Sequence, residues 1–174
     1  MKLPPRPLPN RDAKYMGLVF CIGSFFSKDP HTQIGAFVVN EENEPLGFGF
    51  NGPPRGINDN DVDWSRPAKY DFMIHAEINA MRWARRRGSL NGATLYVTAM
   101  PCKKCMLEIV AEGIKKVVYF PQKSDKQSSL QNQTDEDIAK EIAKLGKLTL
   151  VEFKENLNWM RDRILDLDKK GIFG

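Results

Sequence analysis

The sequence predicts an α/β fold in three layers: a five-stranded mixed sheet with helices on both faces. Three observations predict it. Five short runs of β-branched, aliphatic and aromatic residues alternate with longer stretches of helical periodicity. The first two runs, 33–40 and 46–50, are separated only by a polar turn and pair as a hairpin. The next two, 93–98 and 116–120, flank a helix-length segment, which makes a parallel crossover that is right-handed by the general rule. One hairpin and one crossover in the same sheet make it mixed. A chain of 174 residues suits one domain with a full core.

The elements follow in order. Residues 1–13 form a basic arm with Pro4, Pro5, Pro7 and Pro9, and read as irregular. A signal peptide is a poor match, because no small-x-small cleavage site follows the apolar stretch 17–26. A cap among residues 10–12 starts a helix to about Ser27. It is apolar nearly all round, so deep burial is expected, with Cys21 a small core residue. Lys28-Asp29-Pro30 ends it. Residues 33–40 (QIGAFVVN) and 46–50 (LGFGF) are the hairpin strands, and the glycines of the second admit close approach of another backbone. Residues 51–56 (NGPPRG) make a rigid loop. Residues 57–73 are a polar insertion with Trp64 and Tyr70 as aromatic anchors, either a lid or a loop packed down by them. It has no Cys or His, so it brings no metal ligand of that kind.

A helix is expected over 75–87. Its terminal Arg82, Arg85, Arg86 and Arg87 suit the negative end of the helix dipole, with a nucleic-acid patch as the alternative. Then come strand 93–98, helix 102–112 stopped by Gly113, and strand 116–120. Residues 121–134 read as an exposed polar loop, 134–145 as an acidic-first helix, and 148–153 (LTLVEF) as the fifth strand. In the terminal helix, 156–168, Leu157, Met160, Ile164 and Leu167 share a face, and Trp159 is offset toward a partner. The expected organisation is an arm at 1–13, a main domain at 14–153, and a terminal helix within 154–174 packed on the domain or on a partner subunit. No run reaches the roughly 18 apolar residues of a membrane span. The net charge of +4 permits an anionic small-molecule substrate without requiring nucleic acid. With three cysteines, two of them placed like metal ligands, a reducing, cytoplasmic setting is expected.

Two stretches carry the chemistry: His75-Ala76-Glu77 and Pro101-Cys102-Lys103-Lys104-Cys105. One imidazole and two thiols make a three-ligand zinc site, and tetrahedral zinc then keeps a fourth position for water. Cys102 and Cys105 are three apart and share a helix face, and Pro101 suits a helix start. Thiols at a helix N-terminus deprotonate more easily, and the thiolate is the ligand. Glu77, two residues from His75, stands where a proton carrier for the activated water belongs. The alternative is a closed structural site completed by His31 or Cys21. Asn51 is the hydrogen-bonding group expected at the mouth of the site.

H-x-E followed by P-C-x-x-C is the zinc nucleobase deaminase pattern. With Ser27-Lys28-Asp29-Pro30, Gln33-Ile34-Gly35-Ala36, residues 49–56 (GFNGPPRG), His75 through Ala80 and residues 92–98 (GATLYVT), the chain resembles the deoxycytidylate deaminases of the cytidine/deoxycytidylate deaminase superfamily over residues 14 to 120. The resemblance implies the cytidine-deaminase-like form of the three-layer fold. It also implies conversion of dCMP to dUMP and ammonia, which feeds thymidylate synthesis. His75, Cys102 and Cys105 would hold one Zn²⁺ and Glu77 would shuttle protons. Asn51 would contact the sugar, and the Ala76 N–H the base carbonyl. Arg55, Lys28 and Lys123 are the candidates for the 5′-phosphate. A homo-oligomer, hexamer or dimer, is implied, as is a regulatory nucleotide, with Mg²⁺, near the Asn-Gly loop. The insertion lacks the extra metal ligands of some members, and the chain after Phe120 does not match. The competing functions are deamination of dCTP or CMP, a tRNA adenosine or nucleic-acid deaminase, and a non-catalytic zinc assembly domain.

Overall fold

The computed structural model describes residues 7–121 and 129–171. Its sheet has five strands: β1 (Gly35–Val39), β2 (Pro45–Phe50), β3 (Thr94–Val97), β4 (Lys116–Tyr119) and β5 (Thr149–Glu152), in the order β2-β1-β3-β4-β5. β1 runs antiparallel to both β2 and β3, while β3, β4 and β5 are mutually parallel. This is the mixed sheet that the hairpin and the crossover predict. The helices are α1 (Arg11–Phe26), α2 (Ala76–Ala84), α3 (Lys103–Ala111), α4 (Ser129–Leu145) and α5 (Asn158–Lys169). Among the described residues no helix is long and apolar enough to cross a membrane.

Alternating side chains of the central strands feed two cores, one on each face. Ala36, Val38, Leu95, Val97 and Val117 pack with Ala80, Met106, Ile109 and Ala139 of α2, α3 and α4. Phe37, Val39, Tyr96 and Val118 pack with Met16 and Val19 of α1. Every residue of β1 is therefore buried, which is why that strand is continuously apolar.

The glycines of β2 are explained by α2. A Cβ on Gly49 would lie 2.3 Å from the Ala80 nitrogen and 2.5 Å from the Ala76 oxygen, and one on Gly47 would lie 2.7 Å from the Ala84 nitrogen. The helix backbone thus rests directly on the strand. Because the obstruction is backbone and not a flexible side chain, Gly49→Ala is expected to cost about 1–3 kcal/mol or more, by analogy with overpacked cores. A lowered denaturation midpoint, with displacement of the helix that carries Glu77, checks this.

Four expectations are corrected. α1 begins at Arg11, inside the stretch 1–13 assigned to the arm, because Asn10 caps it by accepting from the Ala13 N–H at 2.8 Å. The same helix is not buried all round: Phe25 is 77% exposed and Leu18 and Phe26 are exposed too, since the sheet fully covers only the Ala13–Met16–Val19–Ile22 side, with Tyr15 and Phe26 reaching it by ring contacts at its flanks. α4 starts at Ser129, so the helix takes in residues assigned to a loop, in line with the good helix propensity of Leu and Gln. α5 buries none of its residues fully, and Ile164 and Leu167 of its apolar face are exposed. Its contact with the domain runs through Trp159 and Met160, which lie against Gly17 of α1, so Trp159 meets this chain's own helix.

Candidate active site

The site lies at the sheet edge where β2, β3 and β4 end and β1 begins, the side on which open α/β sheets bind ligands. Two segments deliver its ligands. β2 runs into Asn51 and Gly52, and Gly52 pairs with Ile74, its N–H donating to the Ile74 oxygen at 3.1 Å and its oxygen accepting from the Ile74 N–H at 2.9 Å. The next residue, His75, is the N-cap of α2. Asn79 holds the same helix to the end of β2 through Nδ2, which donates to the Phe50 oxygen at 2.9 Å. β3 runs through Thr98 to Cys102, the N-cap of α3. Neither N-cap side chain caps its helix, so both are directed elsewhere. Lys103 ties the start of α3 to α4 by an ion pair with Asp135 at 2.7 Å.

The two helix N-termini converge. His75 Nδ1 lies 3.6 Å from Cys102 Sγ and 3.4 Å from Cys105 Sγ. Ligand bonds of zinc to nitrogen and sulfur at a tetrahedral angle imply an N···S separation of about 3.6 Å. The donor set and its spacing therefore fit zinc, and the contacting nitrogen is Nδ1. Among the described residues no fourth His, Cys, Asp or Glu joins the cluster. His31 lies beside Asp29, with Nδ1 at 3.9 Å, and Cys21 is inside α1, so neither closes the site.

The electrostatics suit a dication. A hydrogen bond from Cys105, and after it one with His75, draws the Cys102 thiol down to about 4 against the opposing effect of burial. Cys105 is pushed up, by its bond with Cys102 and by burial. The bond with Cys102 raises the His75 imidazole. Two sulfurs and an imidazole thus compete for protons, a competition resolved by a cation that favours both thiolates and the neutral ring. Glu77 is 4% exposed, its carboxyl pushed up by burial, and its side chain bonds with the Cys105 thiol. A buried carboxyl with a raised pKa beside such a His/Cys/Cys cluster is suited to taking and giving protons. The Ala76 N–H belongs to the first turn of α2, whose N–H groups have no partner within the helix.

The remaining candidates fare differently. Asn51 is buried and its amide makes four hydrogen bonds inside the chain. Its Oδ1 accepts from Ser27 Oγ and the Ile34 N–H, both at 2.8 Å. Its Nδ2 donates to the Thr32 oxygen at 2.9 Å and to Asp29 Oδ2 at 3.3 Å. Lys28 is paired with Asp59 of the insertion and its side chain stays exposed to solvent. Arg55 lies over the Trp83 ring at 5.4 Å, on a cavity of about 440 Å³ whose walls include Phe26, Phe48, Phe50 and Arg86. Lys123 lies outside the described residues. Of the aromatic anchors, Trp64 holds the insertion together, its Nε1 donating to the Asp59 oxygen at 2.9 Å, and Tyr70 is exposed. Sequence reasoning missed Asp29 and Lys69, a buried ion pair under the Asn51 loop. A polar residue just before Pro30 signals a turn, but nothing local marks Lys69 as buried.

The family described as the cytidine and deoxycytidylate deaminase zinc-binding region matches residues 9–121. The deoxycytidylate deaminase of Homo sapiens is 36% identical over 116 residues, 63% of this chain and 65% of that protein, so the chain spans about two thirds of that relative. The deoxycytidylate deaminase of Mus musculus is 34% identical over 146 residues, 80% of this chain and 78% of that one. In fold, the chain is similar to the dCMP deaminase of cyanophage S-TIM5 in complex with dCMP and dUMP, with a TM-score of 0.68 and 24% identity over 85% of this chain and 100% of that one. The family match falls on the ligand-bearing segments and the sheet that positions them, and on those grounds the chain belongs to the cytidine and deoxycytidylate deaminase family.

Proposed function

We propose that the protein hydrolyses dCMP to dUMP and ammonia, supplying dUMP for thymidylate synthesis. The observation that carries this reading is the buried Glu77 carboxyl beside a three-ligand His/Cys/Cys cluster, in a chain of this family. His75 Nδ1 and the thiolates of Cys102 and Cys105 would hold the zinc, which would supply a Lewis acid that lowers the pKa of a water toward neutrality. Glu77 is placed to take one proton from the attacking water and pass it to ring N3 while the water oxygen bonds to C4. It then takes the second proton of that oxygen and passes it to the amino nitrogen, so that the C4–N bond breaks, ammonia leaves and the C4 carbonyl of dUMP forms. The Ala76 N–H holds the base carbonyl, at the positive end of α2. Asn51 reaches the sugar by exchanging its longest hydrogen bond, the one to Asp29, for a ligand hydroxyl.

Arg55, Lys28 and Lys123 are the candidate cations for the 5′-phosphate, with a solvated surface role as the alternative for each. The cavity beside Arg55, with Arg86 and aromatic walls, supports a regulatory nucleotide there; its lining among the described residues has no carboxylate, so any Mg²⁺ would be carried by the nucleotide's phosphates. The exposed apolar residues of α1 and α5 support a homo-oligomer, hexamer or dimer, around a catalytic unit that starts with α1 at Arg11 and runs to Phe153. Three free thiols suit the reducing cytoplasm.

Ammonia release from dCMP, CMP, dCTP, cytidine, guanine and a tRNA anticodon stem tests the reading. The highest kcat/KM is expected with dCMP. Preference for the triphosphate or the tRNA overturns the substrate assignment, and no release from any of them overturns the enzyme.

A further inference from the structure

We infer that Lys69, in the insertion, is a positioning residue for the nucleotide, acting through Asp29 on Asn51; this rests on the reading of Asn51 as a sugar contact.

Lys69 is 1% exposed and Asp29 3%, so the pair is shut away from water. The Lys69 Nζ donates to both oxygens of Asp29, at 2.7 and 2.5 Å. Asp29 also accepts from the N–H groups of His31 at 2.8 Å and Thr32 at 3.1 Å. Burial pushes the Asp29 carboxyl up, but these bonds outweigh it and leave it below the ordinary carboxylate range. The carboxylate is therefore charged and well supplied with donors.

Asn51 competes for the same oxygen. Its Nδ2 is 3.3 Å from Asp29 Oδ2, the atom that Lys69 holds at 2.5 Å. A charged donor takes the greater share of a carboxylate's bonding. Lys69 thus leaves the Asn51–Asp29 bond long and exchangeable, while Thr32, Ser27 and Ile34 keep the amide oriented. Remove the ammonium, and a buried anion turns to Asn51 as its nearest side-chain donor. The amide is then pinned away from the ligand. The insertion is latched to the same turn at two further points, by Lys28 with Asp59 and by Arg66 Nη2, which donates to Thr32 Oγ1 at 2.8 Å. The insertion is in this sense a fixed clamp on the loop beneath it.

The test compares zinc-loaded wild type, Lys69→Met, and the double variant Asp29→Asn with Lys69→Met, in dCMP turnover. In Lys69→Met, KM is expected to rise about ten-fold with kcat within about three-fold, the mark of lost ground-state binding. The double variant, which has no buried anion to capture Asn51, is expected to return KM toward the wild-type value. A folded Lys69→Met with full zinc content and wild-type KM overturns the inference. So does a double variant with KM raised about ten-fold, and that result stands even if Lys69→Met alone does not fold. Failure of the wild type to accept dCMP is a separate result against the substrate assignment. The comparison is then made with whichever substrate of the panel it turns over.

Discussion

Glu77→Gln is expected to keep one zinc per chain and to lose turnover by ~10²–10⁴-fold, the usual contribution of a positioned general acid–base. The amide has nearly the volume of the carboxyl, so a site that is 4% exposed stays filled. Glu77 is not among the three cluster ligands, so metal content is expected to hold. The loss should appear in kcat and in kcat/KM alike, because the proton transfers belong to the transition state. Steady-state rates with metal analysis of the same preparations check it. Turnover within a few-fold of wild type removes Glu77 from the mechanism.

The second large effect is loss of the metal. Cys105→Ala is expected to leave the protein without stoichiometric zinc after dialysis and with no measurable deamination. Removing a ligand should weaken zinc by more than the ~10–100-fold that outer-shell changes cost. Cys105 is buried in the same core as Met106 and Ile109, so the variant is also expected to be somewhat less stable. Cys21→Ala is the control: Cys21 sits in α1, apart from the cluster, and zinc is expected to stay at one per chain. His31→Ala should behave like the control. A fall in zinc with either control would restore the closed structural site in which His31 or Cys21 is a fourth ligand.

That His75, Cys102 and Cys105 come together was legible because the pattern that places them is local. H-x-E and P-C-x-x-C place donors at helix starts, and the helix starts are written in Pro101 and in the apolar periodicity that follows each motif. The sheet was legible for a similar reason, since strands buried on both faces must be continuously apolar. Interactions across long sequence separations were not. The Asp29–Lys69 pair joins residues 40 apart, and Lys69 in isolation looks like any solvated lysine. The pairing of Lys28 with Asp59 was hidden for the same reason, since Asp59 lies 31 residues on. The helix α1 misled for another reason: its composition is apolar on more sides than the sheet can cover, and Phe25 is left outside. The early start of α4 shows that polar Gln and Ser can extend a helix as readily as they form a loop.

The contact of α2 with β2 has a consequence for how such a protein can diversify. With glycine at 47 and 49, no side-chain layer separates helix from strand, so the height of α2 above the sheet is set by main-chain dimensions alone. Exchanging one hydrophobic residue for another elsewhere in the interior cannot retune it. The placement of Glu77 and His75 is in that way insulated from drift in the core. Change is left to the connecting segments around Asn51 and the insertion, where the framework of the His/Cys/Cys cluster need not move.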